Sequence, residues 1–175
     1  MPRILLNRIG HDTLAKLEAA ATRRHAEARR LIADEPLGAL YLYGYTVEMR
    51  LKAAYYRLAG VPDGWNIENP IAPNPDSPRK IAQDLIKNLL GPSHAGPVGH
   101  HIVGWALLLI DARANHALGA YPMAFGQALS SHAQAVGRQW KEILRYRACR
   151  PYDVELAEVV AAANWVQQNY RRLWN

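Results

Sequence analysis

"GYTVEMRLKAAYYRLAG", residues 44–60, poses the question on which the fold turns: a Glu stands where a helix should bury an apolar side chain. At 100° per residue, Leu37, Leu40, Gly44, Val47, Leu51, Tyr55 and Leu58 fall within one stripe, and Glu48 lands inside it. Arg50 and Arg57 are read as pointing away from that stripe. Lys52, one turn beyond Glu48, lies at its edge in the favourable Glu-to-Lys order. An isolated buried carboxylate is costly, so Glu48 needs a basic or hydrogen-bonding partner. Lys52 is the nearest; an arginine from another helix would match the carboxylate better, because its fork is planar. The competing reading is a narrower stripe with Glu48 half exposed. Gly44, on the same face, allows close approach by another helix or another chain.

Outward from this segment, apolar residues recur at helical spacing along nearly the whole chain, and no stretch alternates as a strand. A first helix is predicted from Asp12, as N-cap, to about Ala33, and a second opens at Pro36 and closes at Gly60 and Pro62. Residues 61–78 hold five prolines and read as a long irregular connection. A short helix over about Arg79–Leu90 follows, then the break "GPSHAGPVG" at 91–99. A helix from His101 to about Leu118 is apolar nearly all round and is expected to be the most buried. Another spans roughly 124–147, and Pro151 and Asp153 begin the last. This pattern predicts an all-α fold, an up-and-down bundle of four to five long helices, with the 175 residues forming a single domain.

The single cysteine, Cys149, excludes an intrachain disulfide. The start "MPRILLNRIGHD" lacks the apolar run of a signal peptide, and "IVGWALLLI" at 102–110 is too short to span a bilayer. A cytoplasmic protein without membrane association is therefore expected. The formal charge of +6 favours polyanionic partners, although a merely solvated basic face would give the same balance.

Three stretches carry a family resemblance. Gly-Tyr, Val-Glu and Leu-Lys-Ala in 44–54 resemble an early helix of the HEPN domain, a helical family of nucleotide- and RNA-associated proteins. "GHHIVGWALLL" at 99–109 resembles the helix that opens after that family's central loop. "EILRYRACRPYDVELAEVVAAANWV" at 142–166 resembles its Arg-Tyr junction and Ala-rich final helix. The resemblance covers about residues 36–170. It implies a helical bundle, commonly a homodimer, with Glu48 and Lys52 as a shared structural pair. It also implies nucleotide or RNA ligands and, in a toxin–antitoxin or defence setting, a nucleotidyltransferase-like antitoxin partner. Many members are metal-independent ribonucleases that use an Arg and a His with four to six residues between them, at the dimer cleft; no Arg here precedes a His at that spacing.

Among other candidates, "RYRACRPYD" at 145–153 sets Arg145, Arg147 and Arg150 beside a helix N-terminus, where free N–H groups and the helix dipole favour phosphate. The alternative is that Arg145 and Arg147 complement the C-terminus of their own helix or pair with Glu48. Seven histidines show neither Glu-x-x-His nor His-x-x-x-His spacing, so no metal site and no cofactor are expected. His116 and His132 align with apolar residues of their helices and are expected in the core or a cleft, and His100 and His101 open a helix that one of them can cap or leave to face a cleft. The functional expectation is a binding or regulatory protein. The alternatives are a ribonuclease or nucleotide-modifying enzyme with a cleft of Arg145, Arg147, His101 and Glu48, or a purely structural interaction module.

Overall fold

The structure, a computed structural model, describes residues 12–68, 76–94, 96–141, 144 and 150–175. Among these the chain is all-helical apart from one short antiparallel pairing, with six α-helices: α1 (Leu14–Leu31), α2 (Pro36–Leu58), α3 (Pro78–Leu90), α4 (Ile102–Ala114), α5 (Met123–Gln139) and α6 (Asp153–Asn169). A 3₁₀ turn, Tyr170–Leu173, continues α6. None of the described helices is long and apolar enough to cross a membrane.

Local chemistry explains most boundaries. The Thr13 hydroxyl accepts the Lys16 N–H at 3.3 Å and caps α1. Asp12, expected in that role, instead pairs in β1 (Asp12–Thr13) with β2 (Asn66–Glu68), a pairing too short to show as alternation. Pro36 supplies the first turn of α2, and Gly60, at φ +73°, supplies the left-handed exit. Ser77 caps α3 by accepting the Lys80 N–H at 3.2 Å, and the helix starts at Pro78, one residue before the expected Arg79. The fourth and fifth helices stop short of their expected ends at 118 and 147, at Ala114 and Gln139.

The centre of the core is α2. It packs against α1, α4 and α6, while α4 in turn meets α3 and α5, and α5 packs on α6. Fifteen of the 23 residues of α2 are buried, against six of 13 in α4, so the expectation that α4 is the most enclosed helix is not met. The buried surface of α2 is likewise wider than the apolar stripe, because neighbours cover more than one face. Arg50 is buried rather than turned outward. Its guanidinium donates to Gln167 Oε1 and to Thr22 Oγ1, each at 2.8 Å, and lies 4.4 Å over the Tyr170 ring. Arg57 is mostly covered too, and its fork bonds both oxygens of Glu18, at 2.9 and 2.8 Å, and reaches Asp63. These partners come from α1, α6 and the turn after α2. They turn two arginines that periodicity sends to solvent into ties between helices.

Gly44 makes the close approach expected of it, within its own chain. A β-carbon there would stand 2.0–2.3 Å from the indole of Trp140, which is itself buried. The indole N–H donates to the Tyr41 carbonyl at 2.9 Å, fixing the ring across α2. This face of the helix is therefore covered from within.

Candidate functional site

Glu48 is 2 % exposed and holds two bases. Its Oε1 pairs with the Lys52 ammonium, and its Oε2 receives His100 Nδ1 at 2.9 Å. Burial by itself would raise the carboxyl pKa. The His100 hydrogen bond and the Lys52 charge outweigh burial and hold Glu48 below the ordinary carboxylate range. Lys52 is buried as well, with its ammonium 5.3 Å from the Trp105 ring centre. Burial draws its pKa down, opposed by the attraction of Glu48. Lys52 is thus the near partner the spacing offers, and among the described residues the partner from another helix is a histidine 52 residues away.

His100 is placed by the start of α4. Trp105, fully buried, donates its indole N–H to the Gly99 carbonyl at 3.1 Å. His101 Nδ1 accepts the Gly104 N–H at 2.9 Å and caps the helix. Accepting that bond puts any ring proton of neutral His101 on Nε2, and burial followed by the neighbouring His94 lowers its pKa. Of the two histidines that open this helix, His101 is the cap and His100 the one bonded to Glu48. Tyr45 meets His100 edge-on, with ring centres 6.1 Å apart, and Trp140 packs against Tyr45 at 5.1 Å.

His100 and His101 line a half-open cleft of about 760 Å³ formed by α3, the start of α4 and the end of α5. Arg79, Gln83 and Lys87 come from α3, His94 from the preceding loop, and Lys141 from the residues after α5. The first turn of α4 contributes Ile102 and Val103. Among the described residues no carboxylate lines the cleft. A β-carbon on Gly99 would lie 3.1 Å from Gln83 Nε2 and 3.5 Å from an Arg79 guanidinium nitrogen, so α3 reaches over the backbone that carries His100. Three permanent cations and three histidines thus share the cleft with the N-terminus of α4, a basic lining.

The sequence-predicted site residues divide. Glu48, Lys52 and His101 belong to one neighbourhood, with Glu48 and Lys52 directly behind His100. Arg145 and Arg147 lie outside the described residues. Arg150 is exposed, close to the start of α6. There Tyr152 donates its N–H to Glu155 Oε2 at 2.7 Å, and Asp153 adds a second carboxylate to the first turn. That helix start already carries its own negative charge, which opposes a phosphate. His116 is exposed in the turn after α4 rather than in a core or cleft, whereas His132 stacks against Trp165 with ring centres 4.8 Å apart. Among the described residues no cluster of three or more His, Cys, Asp or Glu is arranged to hold a metal ion.

Arg79, Lys87 and Lys141 escaped the sequence reading. The signal for the first two was present: Arg79, Gln83 and Lys87 recur every four residues and so share a face of α3. What that face meets was not legible. No family model, curated protein or solved structure matches the chain.

Proposed function

We propose that the chain is a HEPN-like helical binding or regulatory protein whose ligands are nucleotides or RNA, held through their phosphates in the cleft beside His100. The observation that carries this reading is the lining itself: Arg79, Lys87 and Lys141 beside three histidines, with no carboxylate among the described residues. The order of the three resembling stretches in the sequence supplies the HEPN part, along with its up-and-down bundle, its homodimer and its toxin–antitoxin setting with a nucleotidyltransferase-like partner.

Binding of a short single-stranded RNA and of a mononucleotide, measured from low to high salt, tests the reading. Affinity should fall steeply with salt, because each cation that neutralises a phosphate releases counterions. Replacing Arg79, Lys87 and Lys141 by Gln should flatten that dependence while leaving the fold intact. Binding indifferent both to salt and to these three residues would leave an interaction module. The same RNA incubated in EDTA should remain uncut, in keeping with the missing Arg-to-His spacing. Cleavage abolished by His100→Ala would replace binding with catalysis.

A further inference from the structure

Gln83 is the uncharged polar side chain in the α3 wall of the cleft. It stands one turn before Lys87, and both line the cavity. Its amide nitrogen lies against the backbone that leads into α4, 3.1 Å from where a β-carbon on Gly99 would stand. Among the described residues the amide has no hydrogen-bond partner, and neither have the ammonium groups of Lys87 and Lys141. The histidines of the cleft differ. His100 and His101 each have one ring nitrogen engaged within the protein, on Glu48 and on the Gly104 N–H, and His94 Nε2 is shut away from solvent. Gln83 therefore keeps both a donor and an acceptor open to a ligand.

We infer that Gln83 reads the base edge of a nucleotide whose phosphate is held by Lys87 and Lys141; this rests on the reading of the cleft as a phosphate site. The two lysines and the amide do different work. An ammonium is a point charge, which attracts a phosphate without sensing what is attached to it. A carboxamide sets an acceptor and a donor side by side in one plane, and a nucleobase edge offers the complementary pair. One helical turn, a rise of about 6 Å, separates Gln83 from Lys87, so a ligand lying along α3 meets both groups. The size of the cleft agrees. Its volume of about 760 Å³ falls within the range of about 300–1,000 Å³ that encloses small organic ligands, far more than an inorganic anion needs. Pro97 and Val103 give such a ring apolar flanks. No covalent step is involved; the amide selects among phosphates by what they carry.

Adenosine 5′-monophosphate and ribose 5-phosphate are the probes, because they share the sugar phosphate and differ in the base. Titration calorimetry at low salt should show the nucleotide bound roughly tenfold to a hundredfold more tightly. Gln83→Leu, at a partly exposed position of α3, should bring that ratio close to one and leave the affinity for ribose 5-phosphate unchanged. Lys87→Gln should instead weaken both ligands in parallel and preserve the ratio. Equal affinity of the wild type for the two compounds would overturn the inference, as would a preference that survives Gln83→Leu; the phosphate reading would stand in either case. Salt-sensitive binding of RNA by a protein that holds neither small ligand would overturn it too. RNA binding that ignores salt and the three cleft cations would remove the phosphate reading, and this inference with it.

Discussion

Gly38 and Gly44 lie in one helix, and the same substitution at each should move stability in opposite directions. Replacing a helical Gly by Ala gains up to about 1 kcal/mol through backbone entropy and propensity. At Gly38 the new β-carbon meets Leu31 Cδ1 at 3.5 Å and Glu35 Cβ at 3.6 Å, ordinary contact distances. Gly38→Ala should therefore keep most of the gain. At Gly44 the new carbon would stand 2.0 Å from Trp140 Cδ1, and ordinary contact begins at 3.4 Å, so the indole must retreat by about 1.4 Å. Overpacking of this kind costs roughly 1–3 kcal/mol. Trp140 would also strain or lose its 2.9 Å hydrogen bond to the Tyr41 carbonyl, a further loss of about 0.5–1.5 kcal/mol. After the propensity gain, Gly44→Ala should destabilise by roughly 1–3 kcal/mol. Urea unfolding followed by tryptophan fluorescence and by circular dichroism measures both variants. A Gly44→Ala protein as stable as wild type would refute the packing of Trp140 on α2. Because Trp140 also lines the cleft, the same variant should shift the backbone resonances around His100.

Removal of the Glu48 carboxylate leaves Lys52 buried without its counter-charge, so Glu48→Ala should cost on the order of 3–5 kcal/mol in urea melts; a loss under about half a kcal/mol would mean that the pair does not hold the core. A carboxyl whose pKa is depressed by folding stabilises above its unfolded pKa, and that contribution disappears as pH falls through the folded value. The stability gap between wild type and Glu48→Gln should accordingly be full at neutral pH and narrow below about pH 4, and a gap that widens on acidification would contradict the sign. Arg57→Gln breaks the two-pronged contact with Glu18 and should lower stability by about 1–3 kcal/mol, whereas Arg24→Gln, whose exposed pairing with Glu27 joins neighbours on one helix, should change it by no more than about half a kcal/mol. Equal effects of these two variants, read from the same melts, would mean that the Arg57 fork ties nothing together.

The helical character and the suspect glutamate were written in the sequence, because both follow from spacing along one element. Periodicity of 3.6 residues locates the helices, proline and glycine punctuate them, and a Glu between Val47 and Leu51 on one face announces a buried charge. The pairing of Glu48 with Lys52 is legible for the same reason, since the two stand one turn apart. Helix ends were less so: Trp140 continues the apolar periodicity of α5, yet its backbone turns extended to lay the indole on Gly44. Periodicity measures which side of a helix is apolar, not how many neighbours cover it. Periodicity alone points Arg50 to solvent, and Thr22, Gln167 and Tyr170, arriving from other elements with the nearby charge of Glu18, make its burial tolerable. The second partner of Glu48 is equally a product of folding, because His100 approaches from another helix start 52 residues on. Arg79 and Lys87 reveal their shared face in the sequence. That this face meets Lys141 and three histidines, rather than open water, depends on how α3, α4 and α5 pack, and long-range packing leaves no periodic trace in the chain.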